Sequence, residues 1–318
     1  MKEATNSYKS IDTILMYFGK YANDYWHIDY PLYKHQYNGR NYFFDIRKKA
    51  TWYQGEFDKD GIYLYRGADG ENYYSVINLA QYAIGSYEEY LNTDSSYWLD
   101  QFLKHCDWLV ENQTTYKQCD GIWINCYPMK TFGLVNQWSS SLSQAFGISA
   151  LTRAYLQTGK ELYLQAAQEA YTAFEIPVSE GGVFYSEKDF FCLEEYPTRE
   201  NSSVLNGYIF SVWSIYDLYI CTNDLKYKKS FDKHIENLKH NLKKWENYNW
   251  STYDLWENHN NIASYFYHHL HTKQLFILYQ LTNEKVFHEF KNKWEKQRTN
   301  ISCAISALVK KIIFRLKK

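Results

Sequence analysis

Apolar residues recur along this chain every three or four positions in short runs, and the runs come in pairs. Val76, Ala80, Ala83, Ile84 and Tyr87 form one run, and Phe102, Cys106, Leu109 and Val110 the next. Ile148, Leu151 and Tyr155 are followed by Ala166, Ala170 and Phe174, and Val212, Ile215, Tyr216 and Tyr219 by Phe231, Ile235, Leu238 and Leu242. A last pair sets Leu275, Leu278 and Tyr279 before Phe290 and Trp294. Such spacing gathers apolar groups on one helix face, so each pair predicts two helices. Between the runs of every pair stands a threonine followed by Asp, Gly or Asn: Thr93-Asp94, Thr158-Gly159, Thr222-Asn223 and Thr282-Asn283. Five residues after each threonine comes an aromatic: Trp98, Tyr163, Tyr227 and Phe287. The residue after the threonine suits a left-handed helix end or an N-cap, so the unit reads helix, tight turn, helix. Copies at intervals of about sixty residues mark a repeat architecture. Four hairpins predict a mainly α fold, an incomplete α/α toroid whose inner-helix mouths form a cleft.

Where the pattern breaks, other structure is expected. Residues 177–200, with Gly181-Gly182-Val183-Phe184-Tyr185, predict a β-hairpin loop over the cleft, and 115–138, with Gly121-Ile122-Trp123-Ile124 and Gly133, predict a similar one. Three segments result: an N-terminal β and loop segment over 1–74, a helical domain over 75–297, and a basic amphipathic tail over 298–318. In that tail Ile301, Ile305, Leu308, Ile312 and Leu316 fall on one helical stripe, while Lys310, Lys311, Arg315, Lys317 and Lys318 crowd the end with no acidic residue among them. Two readings of the tail stay open: an interfacial helix on anionic lipid, or a cap that lays its apolar face on the toroid.

Composition narrows the class. With 318 residues and 45% hydrophobic content the chain can bury one large core or two modest ones, and one main domain is expected. A net charge of −1 gives no global basic field, so nucleic acid is not an expected partner. Met1–Lys20 is polar and without the apolar core of a signal peptide, and nowhere do eighteen apolar residues run together, so a cytoplasmic chain is expected. Six scattered cysteines, with no C-x-x-C pair, read as reduced thiols.

The densest candidate chemistry lies at Glu194-Glu195-Tyr196-Pro197-Thr198. Proline disfavours a helical residue before it, so Tyr196 reads as extended, and Asn201-Ser202-Ser203 offers caps to the helix that follows. Two carboxylates and a phenol are thereby presented at a helix mouth, with Glu194 read as a solvated neighbour of Glu195. Downstream, Tyr253 and the run Tyr265–His271 add phenols and imidazoles. The cluster His268-His269-x-His271 lacks the i, i+4 pair and the acidic or thiol ligand that would complete a metal site, and Gly67-x-x-Gly70 lacks the lysine of a phosphate loop. No metal and no cofactor are expected.

In their order these segments resemble the C-terminal domain of the D-glucuronyl C5-epimerases, which turn glucuronate into iduronate within heparosan-type chains. That family runs Glu-Glu-Tyr-Pro-Thr, Val-Leu-Asn-Gly, Tyr-Asp-Leu and Tyr-His-x-x-His-x-x-Gln-Leu. This chain has Glu194–Thr198, Val204–Gly207, Tyr253–Leu255, and Tyr267, His268, His271, Gln274 and Leu275. Trp138-Ser139, Gln144, Ile148-Ser149 and Arg153-Ala154-Tyr155 match before them, and Asn72-Tyr73-Tyr74 with Gln81 is a weaker echo. The resemblance covers roughly residues 58–297.

The resemblance implies an epimerase that works without a cofactor, a homodimer, and an anionic glycan as partner, in the setting of capsule or other cell-surface polysaccharide synthesis. It puts Glu195, Tyr196, Tyr253 and Tyr267 at the catalytic positions. Asn206, His268, His271, Tyr74, Gln81, Trp138 and Gln144 become candidates for substrate contact. Family members carry an arginine right after Tyr-Asp-Leu; here Trp256 stands there, which leaves Arg199 or Arg66 to meet the substrate acid. Inversion at carbon 5 removes a proton α to a carboxylate and returns one on the opposite face, so the site needs an acid/base group on each face. A phenol, with a pKa of about 10, is closer to a weakly acidic C–H than a carboxylate is. Three rival readings share the same residues: a polysaccharide lyase, whose β-elimination begins with the same proton abstraction; a glycoside hydrolase, which needs two facing carboxylates; and a helical-repeat scaffold that binds a partner without catalysis.

Overall fold

The computed structural model of the chain describes residues 13–19, 37–198, 200–256 and 261–316. Within them the fold is mainly α. The helices are α1 (Val76–Thr93), α2 (Ser96–Glu111), α3 (Ser141–Thr158), α4 (Glu161–Tyr171), α5 (Leu205–Thr222), α6 (Leu225–Asn241), α7 (Tyr265–Thr282), α8 (Lys285–Thr299) and α9 (Ile301–Leu316). From α1 to α8 hairpin follows hairpin, as in an α/α toroid.

Each of the four threonine turns closes a hairpin, and they close alike. Asp94, Gly159, Asn223 and Asn283 are left-handed, with φ of 55°, 69°, 57° and 56°. Each returns its N–H to the carbonyl four residues back at 2.7–2.8 Å, which stops the helix. The preceding threonine hydroxyl donates to its own i−4 carbonyl at 2.7 Å in all four. In three of them it also accepts the N–H two residues on, from Lys160, Asp224 or Glu284, and so starts the second helix. Tyr163, Tyr227 and Phe287 are buried one turn later, and Trp98 is half-buried.

Chain contacts separate two compact units, one of Met1–His27, Val204–Asn206 and Leu238–Lys318, the other of Ile28–Ser203 and Gly207–Asn237. Their limits differ from the segment limits at 74 and 297. In the second unit α3 lies against α1, α2 and α4 and is buried along nearly its whole length, Ser141 to Ala154. A helix buried all round must pair its own polar groups. Ser149 donates to Asp217 Oδ2 at 2.6 Å, and Arg153 Nη1 meets the same oxygen at 2.9 Å with both side chains sealed from solvent. Arg153 also donates to the Tyr37 hydroxyl and to the Asn41 carbonyl, and Tyr37 bonds Asp217. Removing one partner of such a pair costs about 3–5 kcal/mol, because the other charge stays buried. The Ser149 and Arg153 positions of the family pattern therefore hold the fold together.

Among the described residues the sheets are short, antiparallel and two-stranded. β1 (Tyr65–Arg66) pairs with β2 (Asn72–Tyr73) in the N-terminal part, which also has a single helical turn at Lys48–Thr51. Between α2 and α3, β3 (Thr114–Tyr116) pairs with β4 (Cys119–Ile122), and β5 (Ile124–Asn125) with β6 (Trp138–Ser139). β7 (Phe184–Glu187) and β8 (Phe190–Leu193) form the hairpin expected within 177–200. In the first unit β9 (Glu246–Asn247) pairs with β10 (Trp250–Ser251) beside α7 and α8, around buried Trp245, Trp250 and Trp294. Among the described residues no helix is long and apolar enough to cross a membrane.

Candidate active site

The Glu194–Thr198 segment leaves β8 and is fixed by Glu194. Its carboxylate accepts the N–H and hydroxyl of Ser202 at 3.0 and 2.7 Å and those of Ser203 at 2.9 Å each. Its backbone is held as well, since Glu194 N–H donates to the Val183 carbonyl and Ser141 N–H donates to the Glu194 carbonyl. Two sequence expectations are corrected here. Glu194 is buried rather than solvated, and burial raises its carboxyl above the usual range against the pull of the four donors. Ser202 and Ser203 spend their donors on Glu194 instead of on a helix cap, and Ser203 takes a positive φ of 42° to do so.

With Glu194 locked, the next two residues are aimed. Glu195 is buried against the first turn of α5, where the helix dipole presents its positive end. The contact requires Gly207: a Cβ there would stand 2.4 Å from Glu195 Oε2 and 2.9 Å from its Cβ. Tyr196, half-buried, stacks on Phe132 with centroids 3.9 Å apart and touches Trp138 at 5.9 Å. Trp138 is itself fixed by donating Nε1–H to the Tyr127 carbonyl. Burial lifts the Tyr127 phenol well above its usual value, with the charge of Glu195 a smaller cause.

Beside this loop opens a cleft of about 540 Å³, bordered by the two expected loops and by Pro197 and Thr198. Trp138, Tyr116, Phe184 and Tyr185 give it aromatic walls, and among the described residues Lys117 is the one charged residue in its lining. Sequence reading missed Lys117; the signal was its place at the tip of the β3–β4 hairpin, where its φ of 54° sets the turn. An aromatic cleft whose described lining carries a cation and no carboxylate suits a negatively charged sugar.

The other candidates lie in the first unit. Tyr253 is buried and Tyr267 half-buried on the first turn of α7, where Ser264 Oγ caps the Tyr267 N–H. Their rings meet edge to face at 4.6 Å, so no pyranose fits between the ring faces. The Tyr253 carbonyl accepts the N–H of Leu205 at 3.2 Å, and Gln274 Nε2 donates to the Asn206 carbonyl at 3.0 Å, which ties the start of α5 to both motifs.

The histidines differ in kind. His268 lies flat on Trp250 at 3.8 Å, donates Nε2–H to the Trp294 carbonyl at 3.0 Å, and accepts at Nδ1 from Ser251. Both nitrogens are spent inside the core, so the expected substrate contact by His268 is replaced by a structural role. His271 bonds Ser251 Oγ through Nδ1 at 2.9 Å, and among the described residues nothing reaches its Nε2. Burial pushes the His271 imidazole down to about 3, so the ring is neutral. Asn206 Oδ1 and Gln274 Oε1 are likewise buried without a hydrogen bond among the described residues.

Several other candidates have their groups engaged elsewhere. Gln144 clamps Trp123 through both amide ends, to its N–H at 3.1 Å and its carbonyl at 2.8 Å, and is sealed from solvent; its expected substrate contact is not available. Tyr74 donates to Asp58 and lines a different hollow with Asp60, Asp100, Asp107 and Glu111, surroundings that repel a uronate. Arg66 is exposed and reaches Asn72 at 3.4 Å. Gln81 is half-buried on α1 and Trp256 is half-buried after Tyr253-Asp254-Leu255. Arg199 lies outside the described residues.

Residues 121–296, more than half of the chain, match the family described as D-glucuronyl C5-epimerase C-terminus. A D-glucuronyl C5-epimerase of Caenorhabditis elegans is 38% identical over 120 residues, 37% of this chain and 19% of that protein. An uncharacterized protein of Methanocaldococcus jannaschii is 28% identical over 179 residues, 55% of this chain and 57% of that one. The chain thus spans 57% of one of these curated relatives and 19% of the other. Among solved structures, cellobiose 2-epimerase from Bacillus thermoamylovorans B4167 superimposes with a TM-score of 0.53 at 14% identity, over 70% of this chain and 58% of that one, a likeness of fold.

Proposed function

The chain belongs to the D-glucuronyl C5-epimerase C-terminus family, and from that premise we propose that it inverts carbon 5 of D-glucuronate, or a related uronate, within a polysaccharide or lipid-linked glycan. The observation that carries this reading is the Glu194 lock. It spends a buried carboxylate and four donors on holding Glu195 at the α5 first turn and Tyr196 beside the cleft.

In the proposed reaction a base removes the C5 proton, the electron pair spreads into the substrate carboxylate as an enediolate, and an acid on the other face returns a proton to C5. Tyr253 and Tyr267 are proposed as the opposing pair, with Tyr196 as a hydrogen-bonding or relaying neighbour. Glu195 is proposed as a base on one face or a protonated donor to the substrate acid. Lys117 replaces Arg66 as the proposed partner of a sugar carboxylate, because it lines the aromatic cleft and Arg66 does not. Asn206 is proposed to supply a polar atom for a sugar hydroxyl, and Trp256 a ring face for stacking, while His271 and Gln274 are sealed from solvent and support the site from behind.

The test is incubation with heparosan in heavy water, reading deuterium at carbon 5 by NMR and mass spectrometry. Deuterium with iduronate signals is expected, reduced at least about 100-fold in Tyr267→Phe, the scale of one lost acid/base group. A product with a new conjugated C=C absorbance would replace the epimerase by a lyase. Absence of exchange with heparosan and with other glucuronate-containing glycans would overturn the proposal.

A further inference from the structure

Helix α9, Ile301–Leu316, is turned inside out for a helix in water. Its small residues Ala304 and Ala307 are buried, while Ile301, Ile305, Val309, Ile312, Ile313 and Leu316 are 43–81% exposed. At 100° per residue those six occupy one arc of about 120° over a helix about 24 Å long. The inner side is pinned in place: Lys311 Nζ donates to Asn261 Oδ1 at 2.7 Å and to the Ile262 carbonyl at 2.9 Å, and Lys310 Nζ to Asn247 Oδ1 at 3.1 Å. The stripe faces outward because the helix is fastened from behind. This removes one of the two readings left open by the sequence, in which the apolar face caps the fold.

We propose that α9 is a membrane-surface anchor that seats its six-residue apolar stripe in an anionic lipid interface. Charge selects the occupant. Between Ile301 and Lys318 the sequence has five cations and no carboxylate; Lys310 and Lys311 are held on the inner side, which leaves Arg315, exposed at the end of the helix, and the Lys317 and Lys318 that follow it in sequence to meet headgroups. Anionic headgroups answer that charge, whereas a second copy of the same helix would set cations against cations with nothing to neutralise them. The helix meets the description of an interfacial one, with an apolar face, a basic flank and a length short of a bilayer crossing. The proposal is independent of the reaction assigned above. Together they would bring an enzyme of lipid-linked glycans to the surface where such glycans are held.

Flotation of the whole chain with vesicles tests the anchor. Binding to phosphatidylglycerol–phosphatidylcholine vesicles is expected, at least about tenfold weaker on phosphatidylcholine alone and weakened by high salt, as each cation near the surface contributes to attraction. The double variant Ile305→Ser/Ile312→Ser changes only exposed side chains and should keep its helical circular dichroism while losing at least about tenfold in binding. Equal binding to neutral vesicles, or none to either, overturns the proposal. So does a concentration-dependent dimer, seen by light scattering without flotation and abolished in the double variant, which would give the stripe to a second copy.

Discussion

At the scale of single residues, the site loop shows two adjacent glutamates with opposite duties. Glu194 turns inward and is saturated by Ser202 and Ser203, and that saturation is what frees Glu195 to face the first turn of α5. Gly207 is the sensitive partner. Gly207→Ala puts a methyl group within 3 Å of Glu195 Cβ and Oε2, so the carboxylate must move. Overpacking of this kind costs about 1–3 kcal/mol, partly offset by the better helix propensity of alanine. The variant should fold, with a urea midpoint near that of the parent, and lose at least about tenfold in carbon-5 exchange. Unchanged exchange would remove Glu195 from the reaction. The two duties were not legible in the sequence, because Glu-Glu reads the same in either direction. What separates them is the pair of serines eight and nine positions on, bonded across a turn whose positive φ no local signal announces. Gln144 and His268 were misread for a related cause: both stand in matching motifs, but their polar atoms close on Trp123, Ser251 and Trp294 inside the core.

At the scale of elements, the hairpins were the most legible part of the chain. A threonine that bonds its own i−4 carbonyl and then the next helix's N–H, beside a residue fit for positive φ, is a local device, and local devices can be read from local sequence. Glycine is used at one turn and Asp or Asn at the other three, which the left-handed region tolerates. The buried polar face of α3 was not legible as structure. Ser149 and Arg153 depend on Asp217, more than sixty positions away, and only the fold brings that carboxylate to them. For α9 the stripe was legible but its direction was not, since periodicity says which residues share a face and not which way the face turns.

At the scale of the whole molecule, buried titratable groups set how stability varies with pH. Burial lowers His105 and His269 to about 4 and His234 and His271 to about 3, from 6.5. Between those values and 6.5 the unfolded chain binds more protons than the folded one, so stability rises with pH up to about 6.5. Glu88 acts in the opposite sense, since burial pushes it up to about 8 from 4.5, and the folded chain holds its proton through that window. The buried histidines, His268 with them, outweigh the two carboxyls that burial raises, Glu88 and Glu194, below pH 6.5, and Glu88 carries the decline above it. Urea midpoints followed by tryptophan fluorescence should therefore peak near pH 6.5 and decline towards pH 8, and Glu88→Gln should flatten the decline while leaving the acid limb. A decline that survives in Glu88→Gln would mean that another group governs it.

The Glu194 lock also sets an order in time. Its bonds join the end of β8, the Ser202–Ser203 elbow and Ser141 at the head of α3, more than fifty positions away, so the loop cannot settle before those elements have come together. Helical hairpins closed by local turns form early, whereas contacts distant along the chain wait for loop closure. On refolding from urea, far-ultraviolet ellipticity should return first and carbon-5 exchange last; simultaneous recovery would mean that the loop organises itself. A nascent or freshly unfolded chain would then pass through a stage that is already helical and not yet an enzyme.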